Sequence, residues 1–240
     1  MYHKKCPRTK SFEKIFLFKP TSLSCFTFPI MKVCAISDTH NKHHRLELQP
    51  ADLLIHAGDF SELGRQDEVQ QFLNWFARQP HPHKVFIAGN HDFLPERQPK
   101  IFKKMIPPDL IYLEDEEVII KGIKIWGSPI TPWFYNWAFN RRRGAEIRKY
   151  WEMIPKDTDI LVTHGPPLGI LDRNNQRNAC GCADLMELVQ ERKPRFHLFG
   201  HIHEAYGQVE KDGTRFINAC VLNDLYQVKN PPVYFEIEPI

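Results

Sequence analysis

Short apolar runs recur along this chain, and each run ends in a cluster of polar residues. The runs occupy residues 32–36, 53–55, 85–87, 160–162 and 196–199. Runs of this length and composition predict buried strands, and the polar clusters mark where the chain leaves the sheet. Further apolar runs flank the turn sequences Lys121-Gly122 and Lys211-Asp212-Gly213, which predict β-hairpins at 118–126 and 205–217.

Helical periodicity separates several of the predicted strands. Residues 66–78 carry four apolar side chains at relative positions 0, 3, 4 and 7, which predicts an amphipathic helix. Residues 144–153 and 183–191 predict two more helices. A chain of 240 residues in which strands alternate with helices is of ordinary size for one α/β enzyme domain.

The polar clusters at the strand ends contain metal-liganding side chains. They are Asp38-Thr39-His40, Gly58-Asp59, Gly89-Asn90-His91-Asp92, Thr163-His164-Gly165 and Gly200-His201-Ile202-His203. Besides Asp92, a sheet that gathers these ends at one edge would collect two carboxylates, one carboxamide and five imidazoles. Such a set is large enough to bind two metal ions.

The types of ligand at this edge indicate a hydrolytic site. Imidazole suits ions such as Zn, Fe and Mn, and a mixed nitrogen and oxygen set without Cys differs from a structural zinc site. In Asp38-x-His40 and His201-x-His203, the two partners point to the same face of an extended strand. Two ions roughly 3.5–4 Å apart need a bridging ligand. Asp59 is the predicted bridge, because Gly58 allows the backbone to approach closely.

In this order, the clusters resemble the calcineurin-like metallophosphoesterase superfamily over residues 31–238. Segments 37–40, 54–59, 126–129 and 164–169 are similar to a narrower group, the brain metallophosphoesterase-domain proteins and their bacterial and fungal relatives. The resemblance implies an αββα sandwich, in which two mixed β-sheets face each other, helices cover the outside and the site lies at the strand ends.

The resemblance also implies a role for each cluster residue. The first divalent ion would take Asp38, His40, Asp59 and His203, and the second would take Asp59, Asn90, His164 and His201. The ions would be Mn, Fe, Zn, Ni or similar. His91 would contact the substrate phosphate and act as the general acid, and we expect Asp92 to orient the His91 ring. Every ligand position holds the expected residue type, which argues against a non-catalytic scaffold.

Charge and composition limit the classes of partner and the cellular location that we expect for this protein. The net charge of +3 is too mild to indicate a nucleic-acid partner, and no apolar stretch approaches the ~18 residues needed to span a bilayer. The six Cys do not show the regular spacing of a disulfide-bonded domain, which favours a reducing compartment and a cytoplasmic location. Residues 1–30 carry six Lys or Arg and one acid without a clear period. We expect them to be a disordered extension or the product of a wrongly chosen start, with the enzyme domain at 31–240.

Two segments outside the clusters are candidates for substrate binding. Residues 132–143 combine aromatic and Arg side chains, so Trp133, Phe134 and Tyr135 could stack a nucleobase. The alternative is that these aromatics only pack a long loop onto the domain. His43 follows the first cluster and either faces substrate or lies in a solvated loop.

The predicted reaction is hydrolysis of a small phosphoester. A water between the ions would lose a proton near neutral pH, and the resulting metal-bound hydroxide would attack phosphorus in line. The resemblance favours phosphodiesters, with cyclic nucleotides as the favoured class. The alternatives are a phosphomonoesterase, a protein phosphatase or a nuclease of the same superfamily, and a catalytically silent binding scaffold of the same fold.

Overall fold

The computed structural model describes residues 30–239, so the expectation for the first thirty residues lies almost wholly outside the described part. In chain order the strands are β1 (Met31–Ile36), β2 (Leu53–Ala57), β3 (His83–Ile87), β4 (Ile111–Tyr112), β5 (Glu116–Ile120), β6 (Ile123–Ser128), β7 (Thr131–Pro132), β8 (Asn140–Arg141), β9 (Ile160–Thr163), β10 (Phe196–Phe199), β11 (Gly207–Lys211), β12 (Thr214–Asn218) and β13 (Val233–Ile237). The helices are α1 (Gln66–Ala77), α2 (Phe93–Arg97), α3 (Pro99–Met105), α4 (Ala145–Trp151) and α5 (Ala183–Arg192). Short 3-10 turns occupy His43–Arg45 and His203–Ala205.

The strands form two large mixed sheets. The first has the order β13-β1-β2-β3-β4, and only β13 runs antiparallel to its neighbour. The second has the order β11-β12-β10-β9-β6-β5, with parallel inner strands and an antiparallel strand at each edge. The parallel inner strands explain the continuous apolar runs, because such strands are buried on both faces.

Alternate residues of each inner strand divide the core into layers. In β2, Leu53, Ile55 and Ala57 belong to the cluster between the sheets, which also contains Ile125 and Val162 of the second sheet. The side chains at the intervening positions of each strand face outward, against the helices. Phe72 and Phe76 of α1 cover the first sheet, and Trp151 of α4 and Leu185 of α5 belong to the same outer cluster as Leu161 of β9. The predicted αββα sandwich is therefore confirmed.

Both predicted hairpins are present. Lys121-Gly122 joins β5 to β6, and Asp212-Gly213 joins β11 to β12. All four turn residues have positive φ, between 47° and 84°, as a two-residue turn between twisted strands requires. No helix of residues 30–239 is long and apolar enough to cross a membrane.

Replacing Phe72 by Ala should lower the free energy of unfolding by about 3–5 kcal/mol. Phe72 is fully buried in α1, and its ring stacks on Phe60 with the centroids 4.4 Å apart. Gln71→Ala is the matched control, since the neighbouring Gln71 is exposed on the same helix. Chemical denaturation of the three proteins measures the difference. Equal unfolding midpoints for Phe72→Ala and Gln71→Ala would contradict this packing.

Candidate metal centre

The carboxyl ends of β1, β2 and β3 in one sheet meet those of β9 and β10 in the other. Three trios of side chains there have ligand atoms within 4.8 Å of one another: Asp38, His40 and His203; His40, Asp59 and His91; and Asp59, His164 and His201. Asn90 joins the third trio, because its Oδ1 lies 3.0 Å from His164 Nε2. All eight side chains expected to form the centre therefore lie together.

Asp59 lies between two groups of ligand atoms. One carboxylate oxygen, Oδ2, is 3.2 Å from His164 Nε2 and 3.7 Å from His40 Nε2. On the far side of His40, Asp38 Oδ1 is 3.4 Å from His203 Nε2. The other oxygen of Asp59, Oδ1, accepts a hydrogen bond of 2.8 Å from the backbone N–H of His91. This central position is the one that a bridging carboxylate needs.

Backbone carbonyls fix the orientation of three imidazoles. Nδ1 of His164 lies 2.9 Å from Ala57 O, and Nδ1 of His203 lies 3.1 Å from Asn223 O. Nδ1 of His91 lies 2.7 Å from Glu62 O. Because a carbonyl oxygen can only accept, Nδ1 carries the hydrogen in each ring. Nε2 is then the nitrogen directed at the centre, where it can bind a cation once it has lost its own proton.

His40 provides the strongest sign that the centre binds an ion. Its side chain is 1% exposed, and within residues 30–239 neither ring nitrogen has a hydrogen-bond partner. Leaving buried polar atoms unpaired costs free energy, so a native protein rarely does it without a reason. Nε2 of His40 is 3.7 Å from Asp59 Oδ2 and 4.0 Å from Asp38 Oδ1. A divalent cation among these three atoms would use the unpaired nitrogen.

The two buried carboxylates are held in their charged form. Burial would raise the pKa of Asp38, but the hydrogen bond to His203 and the charge of His164 bring it below its ordinary value. Burial opposes the ionisation of Asp59 in the same way, and His164 again lowers the pKa. Burial lowers the pKa of His164, yet the charge of Asp59 raises it overall to about 9. Burial lowers the pKa of His40 to about 4, so that ring is neutral and able to bind a cation.

The ligand turns have strained backbones. Asp38, His40, Asp59 and His201 all have positive φ, between 38° and 67°. Such conformations cost about 1–3 kcal/mol each for residues other than Gly and persist only where the surroundings enforce them. The first two turns enforce each other, because the N–H of Asp38 donates to Gly58 O (2.9 Å) and the N–H of His40 donates to Asp59 O (3.1 Å).

Two glycines allow the turns to approach one another. A Cβ on Gly200 would lie 1.9 Å from Asp38 Oδ2, and one on Gly89 would lie 2.3 Å from Asp59 Oδ1. The space next to each carboxylate is therefore taken by backbone. The close approach at Gly200 also lets the N–H of His201 donate to both carboxylate oxygens of Asp38, at 3.0 and 3.1 Å.

Asp92 does not orient the His91 ring, so that expectation is wrong. The Asp92 carboxylate accepts hydrogen bonds from the N–H of Gly89 (2.8 Å), the N–H of Ser61 (2.9 Å) and the Ser61 hydroxyl (2.5 Å). It therefore joins the turns that follow β2 and β3. Burial, followed by the charge of Asp59, raises the pKa of Asp92 to about 7. The His91 ring is instead oriented by the Glu62 carbonyl.

His43 does not face the centre. Its side chain is only 4% exposed, and its ring lies 5.1 Å from Trp75 and 5.9 Å from Phe72, against α1. Both alternatives from the sequence, a substrate contact and a solvated loop residue, are therefore wrong. The apolar face of α1 takes up this imidazole instead.

A cleft of about 450 Å³ opens beside the centre. Its lining includes His201, Trp133, Phe134, Arg143, Asn174 and Asn178. The guanidinium of Arg143 is already engaged, because it donates to the carbonyls of Gly181 (2.7 Å) and Cys180 (3.0 Å). Tyr135 is 72% exposed and does not line this cleft. Two of the three candidate aromatics thus line the same cleft as His201, a predicted metal ligand.

The sequence did not single out two aromatic residues that touch the centre. Trp137 packs on His91 with the ring centroids 4.2 Å apart. Tyr226 lies 4.7 Å from His203 and 5.1 Å from His40. Trp137 belongs to the aromatic stretch that drew attention, but Tyr226 lies in a late loop whose sequence carries no motif. Only the fold brings it back to the strand ends.

Comparisons with known proteins agree with this geometry. A family model described as calcineurin-like phosphoesterase matches residues 31–205. Metallophosphoesterase domain-containing protein 1 of Homo sapiens is 40% identical over 231 residues, which cover 85% of this chain and 70% of that protein. The UPF0046 protein K07C11.7 of Caenorhabditis elegans is 35% identical over 222 residues, which cover 87% of this chain and 76% of that protein.

A solved structure shares the fold at low identity. The crystal structure of TT1561 of Thermus thermophilus aligns with a TM-score of 0.55 at 14% identity, over 79% of this chain and 89% of that one. The resemblance predicted from the strand-end clusters is confirmed by the family match and by the two relatives. The chain belongs to the calcineurin-like phosphoesterase family and is a metal-dependent phosphoric ester hydrolase.

Proposed function

We propose that this protein hydrolyses phosphodiesters with two divalent ions held at the strand ends, and that cyclic nucleotides are its favoured substrates. One ion would be held by Asp38, His40, Asp59 and His203, and the other by Asp59, Asn90, His164 and His201. The observation that carries the proposal is the position of Asp59. Its buried carboxylate lies between two sets of ligand atoms and is within 3.7 Å of a nitrogen in each.

The donor set fits such ions. Imidazole nitrogens with carboxylate and carboxamide oxygens are suitable ligands for Mn, Fe, Zn or Ni. The unpaired nitrogens of buried His40 need a partner, and the carboxylates of Asp38 and Asp59 need positive charge. When bound, divalent ions polarise phosphoryl oxygens and make a water acidic enough to act as a nucleophile near neutral pH.

The surroundings of His91 support a role in proton transfer. Its Nδ1–H donates to Glu62 O, so its Nε2 is the atom free to face substrate. The ring is half-buried between the centre and Trp137, where it can meet a bound phosphate. When protonated, it would donate the Nε2 hydrogen to the leaving oxygen of the ester, as a general acid does.

Asp59→Asn should abolish both metal binding and turnover. The neutral amide keeps the shape of the side chain but cannot balance the charge of two cations. Elemental analysis after dialysis against Mn²⁺ measures the ions per chain, and a chromogenic phosphodiester measures turnover. Asp67→Asn is the matched control, because Asp67 is exposed in α1. Two retained ions with full turnover in Asp59→Asn would contradict the assignment of Asp59 as the bridging ligand.

His91→Ala should leave the metal content unchanged and lower turnover by roughly 10²–10⁴-fold, the usual scale for a lost acid–base group. The test is needed because a ring nitrogen of His91 also lies near enough to His40 and Asp59 to be a ligand itself. Metal content and turnover are measured on the same samples. If the two fall in proportion, His91 is a ligand and the general-acid role is wrong.

The cleft supports a diester that carries a planar base. Trp133 and Phe134 are 44% and 61% exposed, and both line the cleft that contains His201. Base stacking on an aromatic side chain tolerates different bases. Asn174 and Asn178 add amide groups to the same wall. A nucleoside group could therefore lie in the cleft while its phosphate reaches the centre.

Phe134→Ala should raise KM for a cyclic nucleotide by roughly 5- to 150-fold, because a stacked base is worth about 1–3 kcal/mol. KM for a small chromogenic diester without a base should barely change in the same variant. Tyr135→Ala should have a smaller effect on the nucleotide, since Tyr135 lies outside the cleft. Equal KM shifts for both substrates would mean that the loop is only structural. A wild-type preference for phosphomonoesters would remove the cyclic-nucleotide proposal.

A further inference from the structure

His56 occupies a position where an apolar side chain would be expected. It lies in β2, points outward toward α1 and is 0% exposed. Its ring centroid is 5.0 Å from that of Phe72 and 6.3 Å from that of Phe60. Burial lowers the pKa of His56 to about 3, so the ring is neutral. Burying a polar ring is costly unless both nitrogens are satisfied.

Both nitrogens of His56 are satisfied, and the partners fix its tautomer. The backbone N–H of Gly58 donates to Nδ1 at 3.2 Å, so Nδ1 carries no hydrogen. Nε2 must then carry it and donate to the hydroxyl oxygen of Thr39, 3.0 Å away. Thr39 lies between Asp38 and His40, and Gly58 precedes Asp59. One imidazole thus holds two turns that carry metal-ligand candidates.

We propose that His56 is a positioning residue that links the turn at Thr39 to the turn at Gly58 and so sets the geometry of the metal centre. The inference rests on the ligand assignment made in the proposed function. Asp38, His40 and Asp59 have positive φ, which the chain does not adopt without outside support. The His56 contacts supply side-chain support in addition to the backbone bonds between the turns.

The second sheet repeats the His–Thr half of the arrangement, although Nδ1 of His197 has no hydrogen-bond partner among residues 30–239. His197 in β10 is 0% exposed, and its Nε2 lies 2.8 Å from the hydroxyl oxygen of Thr163. The Thr163 hydroxyl donates to Gly165 O at 2.8 Å, so the hydrogen between Thr163 and His197 belongs to Nε2. Thr163 immediately precedes His164. A buried His–Thr pair therefore lies beside ligand residues in each sheet, which argues against an accidental contact at His56.

The test measures the affinity for Mn²⁺ alone by isothermal titration, together with the melting temperature of the metal-free protein. Thr39→Val removes only the hydroxyl and keeps the shape, while His56→Phe keeps the packing and removes both hydrogen bonds. Each should weaken Mn²⁺ binding by about 10- to 100-fold, the usual effect of losing a residue that orients ligands. The double variant should bind no more weakly than the weaker single variant, because both changes break one link.

Two controls separate positioning from general stability. Thr39→Ser keeps the hydroxyl and should bind Mn²⁺ like the wild type. His81→Phe removes another buried imidazole, which contacts Gln49 O before the start of β3, and should lower the melting temperature without changing the affinity. Wild-type affinity in Thr39→Val, or additive losses in the double variant, would overturn the positioning role while leaving the ligand assignment intact. Failure of the wild type to bind Mn²⁺ would overturn the proposed function and this inference together.

Discussion

The carboxylates of Asp38 and Asp59 are buried at the centre and held in their charged form, and the fold has to compensate for removing these two charges from water. An ionised carboxylate without partners would be strongly unfavourable at such a depth. The imidazoles of His203 and His164 and the backbone N–H groups of the strand-end turns provide part of the compensation. Cations bound between these groups would provide the rest. The same residues therefore decide both the stability of this edge of the sandwich and its chemistry.

The sandwich explains how residues far apart in sequence reach one centre. Parallel inner strands place their carboxyl ends at one edge of each sheet, and the two sheets face each other there. The turns then have to pass very close together, which is why Gly89 and Gly200 leave no room for a Cβ. The backbone strain at Asp38 and Asp59 accompanies this crowding. Hydrogen bonds between neighbouring turns hold these strained conformations in place.

Much of the fold and of the metal centre could be predicted from the sequence, because strand ends and ligand types are local signals. The five apolar runs, both hairpins and the gathering of Asp59 with its neighbours all follow from such signals. The direction of a side chain after a turn does not. Asp92 turns toward the backbone of Ser61, and His43 turns toward α1, because hydrogen bonds and packing outside the motifs decide their rotamers. Tyr226 reaches the centre only through the return of the chain from the second sheet to the first.

The central claim is that Asp59 bridges two ions. A crystal structure of the protein grown with Mn²⁺, with an anomalous difference map at the manganese edge, tests it most directly. The account predicts two peaks roughly 3.5–4 Å apart, one on each side of the Asp59 carboxylate. One peak would lie beside His40 and His203, and the other beside His164 and His201. A single peak, or two peaks that do not share Asp59, would contradict the account.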